Sequence, residues 1–266
     1  MIKTILRNKF TYWIIFLYGI EFLWWIRIQF LGLHNSEESY FFNWFYGFIA
    51  ISGALYGIYI SNKKWGGWKS IIGKGLILLP VGLLSQAFGV TLWFYYNSIL
   101  KIDVPYPSWA DLGFFGLIPA YTAGAWMFAL ASGAKFSLRT SGGKLYAFFI
   151  PLVSLVVAYG LFLKNVGFDL SDPIKTFLDI GYPLGEIIPV SIALFILTLS
   201  NKFLGGTMKN RILFLTGAFF FQFLTEYAFL YTAGGQTYVN GGWNDLMYAT
   251  SYTIMSLGLI AFTDYK

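Results

Sequence analysis

Four carboxylates stand where a membrane protein seldom places them. They are Asp111 in "YPSWADLGFF", Glu186 in "GYPLGEIIPV", Glu226 in "FQFLTEYAFL" and Asp245 in "GGWNDLMYAT". Acidic oxygens can start helices, relay protons inside a membrane or hold hard cations. Ser108 and Asp111 have the spacing of a capping box. Pro183 suits the first turn of a helix, which places Glu186 a little deeper. A carboxylate in such a turn complements the positive end of the helix dipole. For Asp111, Glu186 and Asp245, helix starting and ligand binding therefore both stay open.

Glu226 has no helix start nearby. If its helix enters near Arg211, it lies roughly 22 Å up at 1.5 Å per residue. An ionisable residue at that depth costs about 2.5–3.5 kcal/mol on insertion scales, and its default reading is functional. The structural alternative is a hydrogen bond between helices. Gln222 stands one turn earlier on the same face. Arg27, roughly 25 Å up the first span, either snorkels to the surface or pairs with the acids, with Glu226 as its expected partner. Gln86, Trp93 and Asn97 share one stripe, and Asp245, Tyr248 and Tyr252 another. These residues predict an outward-facing polar pocket lined with Tyr and Trp. Asp111, Glu186, Glu226 and Asp245 are expected on inward faces at similar depth, around a small ligand or a cation.

Other chemistries find no residues. There is no cysteine, which removes thiol nucleophiles and Cys-based metal sites. The single histidine, His34, falls in a polar loop. No lysine lies mid-span for a Schiff base, and no span pairs His with Ser. "YPLGEI" supplies no GxGD motif, and "WNDLMYATSY" offers one Asp where aspartate-rich prenyltransferases need paired motifs. A metal-dependent enzyme built on the four carboxylates is the residual enzymatic reading. The sequence names no cofactor.

The elements that must position these groups are membrane helices. Of 266 residues, 57% are hydrophobic and only 11% charged, where a soluble domain carries about 25%. The mean hydropathy is +0.63. The fold class is thus all-α, a polytopic transmembrane helix bundle in a single domain. Eight stretches meet the length a bilayer demands. They run about Phe10–Leu33, Tyr40–Ser61, Lys74–Leu100, Trp109–Ser132, Lys144–Lys164, Leu178–Ser200, Arg211–Thr232 and Trp243–Thr263. The N-terminal stretch starts like a signal peptide but lacks a small-residue cleavage site, so it reads as a retained anchor.

Lys and Arg concentrate before the first span and in alternate connections, at Lys63, Lys64, Lys69, Lys74, Lys135, Arg139, Lys144, Lys202, Lys209 and Arg211. The positive-inside bias then puts both termini in the cytoplasm of a multi-pass cell-membrane protein. The net charge of +6 reflects this bias and implies no nucleic-acid partner. Apart from Glu21 and Asp264, the acids fall in outside loops or outer half-spans. The spans pair into four hairpins whose returning helices open on similar motifs, which suggests internal repeats. Repeat interfaces often carry binding sites.

At these motifs the chain resembles a multi-span membrane sensor module that in bacteria precedes diguanylate cyclase (GGDEF), phosphodiesterase (EAL) or histidine-kinase domains. "YPSWADLGFFGLIPAYTAGAW", "YPLGEIIPVSIAL" and "FQFLTEYAFLYTAGGQTYVNGGWNDLMYATSYTIMSLGL" carry the likeness, in order. Glu226 stands where the family carries Asp. The resemblance implies a sensory or ligand-binding role and points to Asp111, Glu186, Glu226 and Asp245. It also implies an output domain, whereas this sequence stops at "FTDYK". The expectation is either a stand-alone relative with a separate cytoplasmic or membrane signalling partner, or the membrane part of a longer protein. The competing expectation is a small transporter or a cation or proton pathway. Polar groups lie mostly on the outer side, with Glu21, Gln86 and Gln222 as the inward limit, which argues against a through-path.

Overall fold

The computed structural model describes residues 1–165, 171–203 and 206–264. It is 85% helical, with no strand among the described residues. The long helices are α1 (Lys9–Leu31), α2 (Glu37–Lys64), α3 (Ile71–Phe94), α4 (Trp109–Ala131), α5 (Ser141–Leu161), α6 (Pro173–Phe203), α7 (Gly206–Gly234) and α8 (Trp243–Ile260). Short helices cover Ile2–Arg7 and Ala134–Ser137.

Seven helices, α1 to α7, are long and apolar enough to cross a bilayer. The eighth expected stretch folds as α8 but is less apolar than the rest. Burial explains this. Asn244, Asp245, Ser251, Thr253 and Ser256 of α8 all lie inside the protein. α8 packs against α1, α2 and α7, so its polar groups meet protein rather than lipid.

Helix starts follow local chemistry. Ser36 and Ser39 form a capping box at α2, and Ser108 and Asp111 form one at α4. The Ser70 and Thr140 side chains cap α3 and α5. One expected start is corrected. α6 begins at Pro173, where the Asp172 carboxylate accepts from the Lys175 N–H at 3.0 Å. Proline suits that first position. Pro183 is therefore mid-helix, and no helix start accounts for Glu186. The α6 backbone continues through Pro183 and Pro189. Within a membrane, neighbouring helices re-satisfy backbone groups that a proline perturbs. Separately, the Tyr227 hydroxyl of α7 donates to the Pro183 carbonyl at 2.9 Å and ties α7 to α6.

α3 and α4 cross with their backbones in close approach. A Cβ on Gly113 would lie 2.4 Å from the Gly89 nitrogen, so two bare backbones make this contact. α4 and α7 both pack on α6, and α2 packs on α3 and α8. α5 lies at the edge against α6, and only its Gly143 and Ala158 are buried.

The bundle has two chemically different ends. At one, Asn8 donates to the Tyr56 hydroxyl (2.6 Å) and to Thr263 Oγ1 (3.0 Å), and Trp65 Nε1 donates to the Phe262 carbonyl (2.8 Å). At the other, the Asn240 N–H and side-chain amide donate to Asn35 Oδ1 at 2.9 and 3.0 Å.

Candidate functional site

Glu226 of α7 is the centre of the best-formed polar cluster. Its Oε1 accepts from Gln86 Nε2 of α3 at 3.0 Å and from Gln222 Nε2 at 2.7 Å. Its Oε2 accepts from the Tyr248 hydroxyl of α8 at 2.8 Å. The Glu226 carboxylate takes the Gln222 amide nitrogen, and the Ser251 hydroxyl donates to the Gln222 Oε1 on the other side at 2.5 Å. Gln86 and Gln222 are each 2% exposed. Helical spacing positions these groups. Gln222 is one turn before Glu226, and Ser251 is three residues after Tyr248. Every donor to Glu226 among the described residues is neutral.

A second carboxylate interacts electrostatically with this cluster. Glu186 of α6 is buried and within electrostatic reach of Glu226. The phenols of Tyr121 and Tyr252 also feel Glu226 and are wholly buried. Neither hydroxyl has a hydrogen-bond partner among the described residues. The Tyr252 ring stands 6.1 Å from that of Tyr248 and 5.7 Å from that of Tyr46. The arrangement joins two carboxylates, two free hydroxyls and a wall of aromatic rings. It suits a ligand that donates hydrogen bonds or carries positive charge.

The other expected residues lie elsewhere. Arg27 does not reach Glu226. Its Nε pairs with Glu38 Oε1 at 2.8 Å, with the Arg27 side chain 58% exposed, and Trp24 Nε1 donates to the same oxygen at 3.0 Å. Glu38 belongs to the first turn of α2, beside the C-terminal end of α1, and a long basic side chain near a helix end snorkels to the interface. Asp111 serves the α4 start. Its Oδ2 accepts from the Ser108 N–H (2.7 Å) and hydroxyl (3.1 Å), and its Oδ1 from the Tyr182 hydroxyl (2.8 Å). Asp245 accepts from the Tyr238 hydroxyl at 2.9 Å and the Gly241 N–H at 2.7 Å. Burial and Asp245 push the Tyr238 phenol well above its usual range. Trp93 meets Tyr40 edge-on at 5.6 Å, and the Asn97 amide donates to the Trp93 carbonyl at 2.9 Å. Neither hydrogen-bonds to the Glu226 cluster among the described residues. A π-helical turn over Tyr95–Leu100 shifts Asn97 off the stripe expected for a regular helix.

The four carboxylates are therefore spread over three places, with Glu186 and Glu226 together. Among the described residues no group of three or more His, Cys, Asp or Glu side chains could hold a metal ion. The sequence reading missed Ser251, Tyr121 and Tyr46 as neighbours of the acids. Ser251 was detectable by its three-residue spacing from Tyr248. Tyr121 carried no signal, because an aromatic residue in an aromatic-rich chain reads as packing. No family model, curated protein or solved structure matches the chain.

Proposed function

We propose that this chain is a membrane-embedded sensory or ligand-binding module. Its ligand is a small cationic or donor-rich molecule held by Glu226 and Glu186, with Tyr121, Tyr248 and Tyr252 around it. One observation carries the reading: a carboxylate deep in the bundle receives only neutral donors among the described residues, with a second buried carboxylate within electrostatic reach. A purely structural acid would be expected to have a basic partner, since unpaired membrane charge is expensive. The same reading takes α8 as an eighth crossing, the helices as four hairpins and both termini as cytoplasmic. The resemblance to sensor modules adds a separate signalling partner. The test is thermal melting of purified protein against a panel of small amines and polyhydroxylated compounds. A ligand should raise the melting temperature of wild type and leave Glu226→Gln unmoved. If hits stabilise both equally, the assignment to Glu226 fails.

The second reading is a cation or proton pathway, favoured by Glu21, a buried carboxylate far from either end of α1. It predicts cation or proton uptake into liposomes containing the protein. Binding without uptake supports the sensory reading.

A further inference from the structure

α1 and α2 enclose a groove near the end of the bundle that gathers Asn8 and Trp65. Phe10 of α1 and Ser52, Leu55, Tyr56 and Tyr59 of α2 line it, and its volume is about 310 Å³. Its floor is fixed from behind. The Phe10 ring stacks on that of Tyr56, with centroids 4.2 Å apart and planes 5° from parallel. The Asn8 amide donates to the Tyr56 hydroxyl at 2.6 Å, and its Oδ1 accepts from the Phe10 N–H at 2.9 Å. At the deep end Trp13 Nε1 donates to Ser52 Oγ at 3.2 Å and joins the two helices. Leu55 and Tyr59 are exposed, so the groove opens outward from the bundle. Both helices are long and apolar enough to cross a bilayer, so that side meets lipid.

The groove is apolar along its length and cationic at one end. Lys63, one turn beyond Tyr59, holds its ammonium 5.0 Å from the centroid of the Tyr59 ring and donates to the phenol oxygen at 2.5 Å. That bond uses one of three ammonium protons. The phenol's own proton has no acceptor among the described residues. An ammonium and a phenol, each with donors to spare, thus stand side by side at the mouth. Lys9 precedes Trp13 by four residues on the same face of α1, and adds positive charge on the side that meets α2. The ion pairs among the described residues involve neither lysine. Asp264, an acid at this end, acts on Arg211.

We propose that this groove binds one anionic phospholipid, with an acyl chain along Phe10, Leu55 and Tyr56 and the phosphate at Lys63 and Tyr59. From Ser52 to Tyr59, α2 rises about 10 Å. The hydrocarbon of one leaflet is about 15 Å deep. About 310 Å³ spread over about 10 Å leaves a cross-section of about 30 Å². A helix 10 Å across needs about 80 Å², so a helix of a second copy does not fit inside, whereas an extended chain does. The charges stand one turn farther on, in the last turn of α2, which is the level of a headgroup. A phosphate accepts from both donors there. A zwitterionic lipid brings its own cation, which the lysines repel. An anionic headgroup leaves net negative charge for Lys63 and Lys9. This site lies apart from Glu226 and Glu186 and does not rest on their reading as a ligand site.

The test uses the full chain purified in detergent. Dioleoyl phosphatidylglycerol, dioleoyl phosphatidylcholine and inorganic phosphate are titrated separately, with melting and native mass spectrometry as readouts. Phosphatidylglycerol should raise the melting temperature saturably and stay bound to the chain, because a bound ligand stabilises only the folded state. Phosphatidylcholine should bind severalfold more weakly, and inorganic phosphate should have no effect. Lys63→Gln should weaken phosphatidylglycerol binding severalfold. Lys144→Gln, at an exposed lysine of α5, should leave it unchanged. Leu55→Trp fills the groove and should abolish retention. Phosphatidylglycerol with a photoreactive acyl chain should label α1 and α2 of wild type, which keeps the proposal testable if Leu55→Trp does not fold. Equal shifts with the two lipids overturn the proposal. So do labelling confined to other helices and retention that survives both Lys63→Gln and Leu55→Trp. A shift with inorganic phosphate equal to that with the lipid assigns a free-anion site and overturns it. A dimer that Leu55→Trp converts to monomer, with no lipid effect, assigns the groove to a second copy and overturns it as well.

Discussion

At the scale of single residues, Glu226 and Arg27 are opposites. Glu226 ties α3, α7 and α8 together through Gln86, Gln222 and Tyr248. Removing its oxygens leaves three donors without acceptors. An unsatisfied buried group costs about 1–3 kcal/mol. Interhelical hydrogen bonds in membranes average nearer 0.6 kcal/mol. Glu226→Ala should therefore destabilise the protein by about 2–6 kcal/mol in thermal or denaturant unfolding. Glu226→Gln keeps a carbonyl for two of the donors and should cost less than half as much. A stability of Glu226→Ala equal to wild type would remove the cluster from the structural account. Arg27 is exposed and paired with Glu38, and such pairs contribute little in water. Arg27→Met should shift melting within error, and its effect should add strictly to that of Glu226→Gln. Coupling between the two would restore the pairing that helix arithmetic suggested. That arithmetic gives height along an axis but not the direction a side chain takes around it. Gln222 was legible because it shares a face with Glu226 on one helix. The Glu38 partner of Arg27 was not, because it arrives from another helix.

At the scale of elements, the two Tyr-Pro motifs turn out to touch each other. Tyr182 of "YPLGE" donates to Asp111 of "YPSWAD", and Tyr106 of "YPSWAD" donates to Asp179 of α6 at 2.8 Å. Burial, then the bond to Asp179, pushes the Tyr106 phenol above its usual range and keeps it a donor. Phe115 packs between Phe177 and Tyr182, with ring centres 5.3 and 5.5 Å away. These contacts clamp the start of α4 to α6. Their likeness in sequence was legible, but their crossed pairing was not, since spacing cannot say which hydroxyl meets which carboxylate. Asp111→Ala loses the cap, at about 0.5–2 kcal/mol, and the Tyr182 bond, at about 1 kcal/mol. Tyr182→Phe should cost only the second part, and unfolding of the two variants measures the difference. The α3–α4 crossing is less forgiving. Gly113→Leu should abolish folding, because the added side chain meets the Gly89 backbone. Val156→Leu on the exposed side of α5 should leave melting unchanged.

At the scale of the whole molecule, the sequence pattern indicated eight membrane stretches, of which seven fold as helices long and apolar enough to cross a bilayer, and burial explains why α8 differs. A helix ringed by α1, α2 and α7 escapes the demand that lipid makes on the others. The ends of the bundle carry the remaining information. The end that gathers Asn8, Trp65 and Phe262 also holds Arg7, Lys63, Lys64 and Lys69 close in sequence. The opposite end, with Asn35, Asn240 and the Asp111 clamp, holds most of the acids outside the helices' interiors. The positive-inside bias is the ground on which we propose that the first end faces the cytoplasm. The chain has no cysteine, so single-cysteine labelling has no background. Lys64 is exposed at the end of α2, and at Gly142 an added Cβ meets nothing within 4 Å. Cysteines at these two positions should resist an impermeant maleimide in intact cells and react after permeabilisation. Asp103 and Thr237 are exposed at the other end, and cysteines there should react without permeabilisation. All four positions have to agree. If Lys64 and Gly142 label from outside while Asp103 and Thr237 do not, the orientation is reversed. If Thr237 labels with Asp103 and a cysteine at Asp264 labels with them too, α8 returns without crossing, and the eighth span is lost.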